Sequence, residues 1–314
     1  MQRPYAAMDR TVTTAIDPER CTGCGQCLAV CPHDTIALQG KTAVVTGTSC
    51  LACGHCVAAC PVEAIQVRAL DDDAMAFTHF QVNDRWVPHG QYDTAQLVRL
   101  MRSRRSCRNF TDTPLAPSLL EDLVSIGITA PSGSNCQAWT FTLLPNRRDL
   151  VALGNRSARY FEKINRLAEK GYLRWFLKAL GKKQLDFYYQ NYYASAKQAL
   201  LDWKATGRDL LFHGATAAIL VGSRPGAACP TEDALLATQN ILLAAHSMGL
   251  GTCLIGFAVA VLNNAEEIKA FIGVPSEETV HAVIALGYPD ETYEGMAGRK
   301  KPCVRFFKPP HQKT

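Results

Sequence analysis

The sequence contains no apolar run long enough to cross a membrane. The longest one, residues 253–262, has ten residues, whereas a membrane-spanning helix needs about 20. It also lacks the charged start and apolar stretch of a signal peptide. With 314 residues, 47% hydrophobic and 19% charged, the chain can bury one large core and a smaller one. We therefore expect a soluble, cytoplasmic protein.

A recognisable nucleic-acid-binding module is also absent, although the net charge is +5. The basic excess lies in residues 155–210, which hold twelve Lys and Arg against five Asp and Glu. Residues 1–73 are acidic, with five basic against eight acidic residues. Helices commonly carry Lys and Arg toward solvent, and charge alone does not define a nucleic-acid site. We therefore expect no nucleic acid partner.

The positions of the cysteines exclude a disulfide framework. Eight of the 13 lie between residues 21 and 60 in metal-ligand spacing, which indicates bound metal in a reducing compartment. The two runs are Cys21, Cys24, Cys27 and Cys31, followed by Pro32, and Cys50, Cys53, Cys56 and Cys60, followed by Pro61. Each cysteine of the first run precedes its counterpart by 29 residues, and the flanks repeat at the same offset. The segment is therefore an internal duplication.

This spacing resembles that of the two-cluster bacterial ferredoxins. The resemblance implies two 4Fe-4S clusters with interlocked ligands, one held by Cys21, Cys24, Cys27 and Cys60, the other by Cys50, Cys53, Cys56 and Cys31. Zinc is the first alternative, but it usually takes two separated pairs of ligands. A purely structural role for the clusters is the second. We favour electron transfer, because two clusters in tandem suit a path for electrons.

A second group of motifs follows a polar linker at residues 69–95, which contains acidic residues and turn signals. Apolar spacing predicts a helix from Thr94, and Arg104, Arg105, Ser106 and Arg108 come directly after it. Arginines and a hydroxyl at a helix end suit a phosphate group. The later motifs are PSGSNCQAW at 131–139, a predicted strand at 140–144, GLGTCLIG at 249–256, GYP at 287–289 and RKKP at 299–302.

Together these motifs resemble the nitroreductase family of FMN enzymes, and specifically its ferredoxin-fused branch. The resemblance implies an α+β fold: a two-cluster ferredoxin-like domain at 1–68, then, after the linker, a nitroreductase-like domain at 96–314 with a central sheet flanked by helices. It also implies an obligate homodimer with two interfacial FMN sites. Two positions depart from the family pattern, since Ala138 replaces a usual proline and Phe257 a frequent glycine.

The resemblance assigns flavin contacts position by position. The FMN phosphate, ribityl chain and ring carbonyl edge would be held by Arg104, Arg105, Ser106 and Arg108. The same flavin would be reached from the other subunit by Pro131, Ser132, Gly133 and Asn135. Ile255 and Gly256 would lie over the ring near N5, and Arg299 and Lys300 near the phosphate. No side chain is assigned as catalytic, and His213 and His246 are expected to be packed histidines.

Residues 160–205 form an aromatic-rich insertion between the matched blocks. Apolar spacing predicts two or three amphipathic helices broken near Gly171 and Gly181. We expect a lid over the flavin whose aromatic side chains stack on a small planar or apolar substrate. One alternative is that the segment only packs on the dimer, and another is that its basic face meets an acidic partner or a membrane. We do not expect contact with a membrane surface.

The leading interpretation is a reductase. An external low-potential donor such as ferredoxin would reduce the clusters, these would reduce FMN, and hydride would pass to an organic acceptor such as a nitroaromatic, a quinone or an activated alkene. In a second interpretation electrons flow the other way, from NAD(P)H or another substrate to ferredoxin. A third is a redox sensor or flavin carrier without turnover. Sequence does not fix the direction, because cluster potentials depend on hydrogen bonds and burial.

Overall fold

The computed structural model describes residues 9–307, in which a small cysteine-rich domain precedes a larger α+β domain. The elements of the small domain are β1 (Thr14–Ile16), α1 (Gln26–Ala29), β2 (Ile36–Gln39), β3 (Thr42–Val45), α2 (His55–Ala58) and β4 (Ile65–Val67). β1 pairs antiparallel with β4, and β2 with β3. The pairing of the first strand with the last closes the domain around a small core that includes Ile36, Ala43 and Ile65.

The duplication is visible in the backbone of the small domain. Three pairs of residues 29 positions apart share the left-handed conformation: Gly23 and Ala52, Gly25 and Gly54, and Asp34 and Glu63. A Cβ atom on Gly23 would collide with the backbone of Lys41, so glycine is required there. Ala52 adopts the same conformation with a side chain, which costs a non-glycine residue about 1–2 kcal/mol. The two cysteine loops therefore share one backbone conformation, which costs more free energy in the second loop than in the first.

The larger domain is built on one antiparallel sheet with helices on both faces, as expected. Its strands, in the spatial order β5-β6-β8-β7, are β5 (Trp139–Leu144), β6 (Ala217–Ser223), β7 (Gly251–Leu254) and β8 (Thr279–Gly287). Its helices are α3 (Thr94–Ser103), α4 (Pro117–Gly127), α5 (Arg147–Ala168), α6 (Gly171–Ala179), α7 (Gln184–Asn191), α8 (Tyr193–Thr206), α9 (Pro230–Ser247), α10 (Gly256–Asn264) and α11 (Glu266–Phe271). No helix within residues 9–307 is long and apolar enough to cross a membrane.

The central strand β6 explains why the sheet holds two cores. All seven of its residues are buried, and successive side chains of a strand point to opposite faces. Ala218 and Leu220 pack into the core that includes side chains of α5 and α10, whereas Ile219 and Val221 pack into the core that includes side chains of α4 and α9. The sheet is thereby fixed from both sides, and β7 lies at its edge.

The linker is fastened to the larger domain by a buried carboxylate. Asp122, in α4, accepts hydrogen bonds from the backbone N–H groups of Thr78 at 2.8 Å and His79 at 2.9 Å, and lies 2.7 Å from Nδ1 of His79. Burial raises the pKa of this carboxyl, but the hydrogen bonds outweigh burial and leave the pKa below its ordinary value. Asp122 is therefore ionised at neutral pH and holds the linker in place.

The aromatic-rich insertion folds as helices broken near the two glycines, as predicted. α5 ends at Ala168, α6 starts at Gly171, and Gly181 has φ 79° between α6 and α7. A polar contact ties the insertion to the earlier part of α5, since Nε1 of Trp203 donates to Oδ1 of Asn155 at 3.1 Å. The insertion is therefore an integral layer of the larger domain.

Candidate cofactor sites

The eight repeated cysteines line two separate cavities. Site 1 is lined by Cys21, Cys24, Cys27 and Cys60. Site 2 is lined by Cys31, Cys50, Cys53 and Cys56. Each site takes three cysteines from one run and the fourth from the other, which is the interlocked grouping expected from the resemblance. Within residues 9–307, no three His, Cys, Asp or Glu side chains gather around the position of a single metal ion.

The surroundings of the sulphur atoms fit an anionic metal cluster. Backbone N–H groups donate to sulphur in four places: Ala43 to Cys21, Thr35 to Cys31, Ala52 to Cys50 and Ala64 to Cys60, at 3.2–3.4 Å. Burial raises the pKa of Cys56 to about 11, and the neighbouring Cys53 and Cys50 add to the rise. Thiols that deprotonate with such difficulty become thiolates readily only beside cations, and cluster iron supplies these.

The basic residues predicted to bind phosphate meet at the end of α3. Burial lowers the pKa of Arg104, and the nearby positive charges of Arg299 and Arg105 lower it further, so the structure brings these three arginines together. Nη2 of Arg105 is buried and has no hydrogen-bond partner within residues 9–307. A buried guanidinium N–H without an acceptor is costly, and a phosphate oxygen would satisfy it. Lys300 is exposed.

Strand β7 connects these arginines to the segment expected over the flavin ring. Ser106 forms a bridge with Thr252 of β7, and the N–H of Cys107 donates to the Thr252 carbonyl at 2.9 Å. β7 leads directly into Ile255 and Gly256, where α10 begins. A Cβ atom built on Gly256 would meet no atom within 4 Å. The start of α10 therefore faces open space, in which a planar ring can lie against the backbone.

His213 lies beside the arginine site in a left-handed conformation with φ 58°. Burial lowers its pKa below the ordinary value, and the positive charge of Arg108 lowers it further. Burial raises the pKa of Cys253 in β7, although the charges of Arg108 and Arg104 oppose the rise. At neutral pH these neighbours are therefore an uncharged imidazole and an uncharged thiol, which leave the positive charge of the site to its arginines.

The segment at residues 131–135 is held by a buried carboxylate. The N–H of Gly133 donates to Oδ1 of Asp233 at 2.8 Å, and Asp233 is only 4% exposed. The Ser132 hydroxyl accepts a bond from the N–H of Gln137 at 3.0 Å. Pro131 precedes them on the surface. The assignment of this segment to a flavin shared with a second subunit stays a prediction.

Asn135 points toward the small domain of its own chain. Its Nδ2 donates to the carbonyl oxygens of both Leu51 and Ala52, each at 3.0 Å. These two residues lie between Cys50 and Cys53 of site 2. In this structure a residue that the resemblance assigns to the flavin is bonded to a cysteine loop of its own chain, and the two domains meet there.

A cleft of about 270 Å³ lies between the insertion and the core of the larger domain. Its walls include Phe161 of α5, Trp203 of α8 and Phe257 of α10. Phe257 makes edge-on contacts with the rings of Phe161 and Tyr192, with centroids 5.5 and 5.6 Å apart. The departure from glycine at this position therefore joins the insertion to the start of α10. Trp175, by contrast, is 72% exposed on α6.

Sequence reasoning missed two buried carboxylates that order the site. Asp233 holds Gly133, and Asp209 accepts the backbone N–H groups of Leu211 and Phe212 at 3.0 and 2.8 Å. The only signal for Asp233 was its place in the first turn of α9, where acidic residues are common for helix-dipole reasons alone. Asp209 had no distinguishing signal.

Comparison with known proteins finds two family models on this chain. The nitroreductase family matches residues 101–288, and the 4Fe-4S dicluster domain matches residues 13–61. Their order along the chain agrees with the fused arrangement expected from the sequence.

Individual relatives are more distant. A 4-nitrobenzoate reductase of Nocardioides sp. (strain LMS-CY) is 26% identical over 206 residues, which are 61% of this chain and 79% of the relative. An NADPH-dependent oxidoreductase of Staphylococcus aureus (strain USA300) is 24% identical over 211 residues, 67% of this chain and 72% of the relative. A solved nitroreductase with bound FMN from Desulfitobacterium hafniense DCB-2 has a TM-score of 0.48 and 23% identity, covering 66% of this chain and 97% of that one.

Proposed function

Because this chain belongs to the nitroreductase family, whose model matches more than half of it, we propose that it is an FMN-dependent oxidoreductase supplied with electrons by two 4Fe-4S clusters. It reduces a small organic acceptor, such as a nitroaromatic, a quinone or an activated alkene, with electrons from a low-potential donor such as reduced ferredoxin. One observation carries the proposal. The buried Nη2 of Arg105 has no hydrogen-bond partner within residues 9–307, and it lies close to the positive charges of Arg104 and Arg299.

The cofactors supply the redox chemistry when bound, the clusters moving single electrons and FMN handling pairs. Two reduced ferredoxins are each oxidised by one electron, and the acceptor gains these two electrons with two protons from water. The chain itself needs no nucleophile for this reaction. Its residues bind the cofactors, orient them and limit the access of water.

Each flavin-side residue has a task that follows from its position. Arg104, Arg105 and Arg299 neutralise and orient the phosphate, because their charges converge where Nη2 of Arg105 lacks an acceptor. Ile255 and Gly256 present backbone to the ring, since the space beside Gly256 is open. Arg108 and Lys300 add positive charge at the edge of the site, where both are exposed.

Homodimer formation is supported by uncovered apolar surface. α3 has no buried residue, and its Leu97, Val98 and Met101 are 36–44% exposed. Near it, a groove of about 950 Å³ is lined by apolar side chains of the linker, α3 and α9. Phe306 and Phe307, at the end of the described chain, are both 87% exposed. Exposed apolar patches mark interaction sites, and a second copy of the chain is the occupant that we propose for this groove.

The acceptor binds in the cleft beneath the insertion. The cleft is predominantly apolar, and its lining includes Trp203 and Phe257, the latter next to the open start of α10. Aromatic walls favour planar, apolar molecules. The insertion therefore selects the acceptor, while the arginines select the cofactor.

Metal and flavin analysis with a donor comparison tests the proposal. The anaerobic protein is assayed for iron, sulphide and FMN, then given either reduced ferredoxin or NADPH with a panel of nitroaromatic, quinone and enone acceptors. We expect about eight irons and one FMN per chain, and turnover with ferredoxin. About four irons, or no flavin after reconstitution, would contradict the cofactor assignment. Flavin reduction by NADPH followed by cluster reduction would reverse the direction.

A further inference from the structure

The contact of Asn135 with the cysteine loop of site 2 is more specific than a general domain contact. One side-chain amide donates to two successive carbonyl groups, those of Leu51 and Ala52. Nearby, the Arg10 guanidinium donates to the Ser134 carbonyl at 3.2 Å, so each domain donates a hydrogen bond to the other. Asn135 therefore binds the middle of the loop, between the predicted cluster ligands Cys50 and Cys53.

The backbone of Ala52 also contacts the predicted cluster ligand Cys50 directly. The N–H of Ala52 donates to Sγ of Cys50 at 3.3 Å, while the carbonyl of Ala52 accepts from Asn135. Ala52 has φ 49°, and its counterpart in the first run is Gly23 with φ 68°. A side chain in this conformation is strained and persists only when the surroundings hold it. Asn135 supplies that support in the second run.

The support is itself rigid. Ser134 and Asn135 both have left-handed backbones, with φ 54° and 52°, and the buried Asp233 carboxylate fixes Gly133 just before them. A Cβ atom on Gly133 would lie 2.9 Å from Sγ of Cys229, so the chain is also packed closely there. A displacement of this segment in the larger domain would therefore be transmitted to the cysteine loop.

We propose that Asn135 is a positioning residue that fixes the Cys50 loop and makes site 2 the point from which electrons leave the small domain for the flavin. The inference rests on the proposed function and extends it, since the sequence treats the two cysteine runs as equivalent. In the holoprotein, the cysteines of site 2 would hold the cluster that gives electrons to FMN, and those of site 1 the cluster that takes them from reduced ferredoxin. Two reduced ferredoxins and two protons from water would balance the two-electron reduction of one FMN.

Asn135→Asp tests this inference, because the change keeps the shape but replaces two N–H donors by a carboxylate facing two carbonyls. Asn264→Asp is the matched control, since the Asn264 amide bonds only to Ala260 within α10 among the described contacts. The reconstituted proteins are compared by hydrogen–deuterium exchange of the 50–54 amides, by redox titration of each cluster followed by electron paramagnetic resonance, and by stopped-flow reduction with ferredoxin.

We expect exchange of the Ala52 amide to rise about tenfold in Asn135→Asp. One cluster should shift to a more negative potential, because a weakened N–H donation to Cys50 destabilises its reduced form, and flavin reduction should slow while the other cluster keeps its potential. Loss of four of about eight irons with FMN retained supports the same conclusion. Wild-type exchange and potentials, or equal shifts of both clusters, would overturn it. Missing clusters or FMN in the wild-type protein would instead refute the proposed function.

Discussion

The two cysteine sites come from one duplicated segment, yet they meet different surroundings. Site 1 includes the exposed Cys24, and Gly23 provides its left-handed loop position. At site 2 the equivalent of Cys24 is Cys53, which is partly buried, and Ala52 replaces the glycine. The second loop is bonded to the larger domain through Asn135. The two loops therefore share one spacing but differ in exposure and in what they contact.

In the proposed path, this difference sets the order of the two sites. A donor approaching from solvent would meet site 1 at the exposed Cys24, whereas the loop of site 2 contacts the domain that holds the arginine cluster. A duplicated motif would otherwise leave the order of the two sites undetermined. The contact between the second cysteine loop and the larger domain therefore distinguishes the two sites, which the repeat alone does not.

The largest expected effect comes from breaking each site separately. Cys53→Ser and Cys24→Ser should each lower ferredoxin-driven turnover by at least about tenfold, yet leave much of the activity driven by dithionite, which can reduce flavin directly. In Cys53→Ser, site 1 should still be reduced by ferredoxin while flavin reduction stalls. Stopped-flow absorbance measures both steps.

Spectra and iron content must first show that the targeted cluster is lost or altered, since serine oxygen can replace sulphur at one iron. Turnover at the wild-type rate without the site 2 cluster would remove it from the electron path. Loss of both activities with FMN retained would indicate that the cluster supports the active-site fold instead.

The arginine site offers the next largest contrast, between a buried and an exposed cation. Arg105→Ala should weaken FMN binding by about 10–100-fold, because charge-assisted hydrogen bonds contribute about 1.5–3 kcal/mol. Lys300→Ala, the matched control, should weaken it by no more than about threefold, since Lys300 is exposed. Titration of apoprotein with FMN, followed by flavin fluorescence, gives both dissociation constants. Equal effects would mean that the unsatisfied Nη2 of Arg105 does not face the phosphate.

A third contrast separates the inner and outer aromatic residues of the insertion. Trp203→Ala should raise KM for a planar acceptor about fivefold, because a lost aromatic contact costs about 1 kcal/mol. Trp175→Ala should leave KM unchanged, since Trp175 lies 72% exposed on α6. Steady-state kinetics with one nitroaromatic and one quinone distinguishes them. An unchanged KM in both variants would place acceptor binding outside the cleft.

The smallest effect concerns the linker that separates the two domains. Asp122→Asn should lower the melting temperature by a few degrees at pH 7, because a buried carboxylate loses charge-assisted bonds. Its folded pKa is lowered, so its contribution is full above the unfolded pKa of about 4 and is lost as pH falls through the folded value. The difference from wild type should therefore shrink below about pH 4.

Glu121→Gln is the control for this prediction, because Glu121 is the exposed neighbour of Asp122 on α4. Thermal melts followed by flavin fluorescence measure all three proteins. A destabilisation that stays constant from pH 7 to 3 would show that ionisation of Asp122 is not what holds the linker.

Local sequence determined much of this architecture. The cysteine spacing, the helix starting at Thr94 and the strand at 140–144 follow from short-range rules, and the structure shows the helix and the strand where they were predicted. The convergence of Arg299 with Arg104 was reached only through the family resemblance, because no pattern in one sequence brings such distant positions together.

The remainder depended on contacts between distant segments. Asn135 lies 83 residues after Ala52, and its bonds form only once both domains have folded and docked. In the sequence Asp233 is an ordinary acidic residue in the first turn of a helix, and only the structure shows that it accepts a hydrogen bond from Gly133. Trp175 and Trp203 belong to the same aromatic-rich stretch, and only the packing of α8 on the core shows which one lines the cleft.

Anaerobic stopped-flow mixing of the holoprotein with reduced ferredoxin tests the account most directly. Cluster and flavin absorbance are followed together in a single turnover without acceptor. The account predicts that cluster reduction comes first and that flavin reduction follows at a rate independent of ferredoxin concentration once the clusters are filled. Flavin reduction that precedes cluster reduction, or clusters that fill while the flavin stays oxidised, would contradict it.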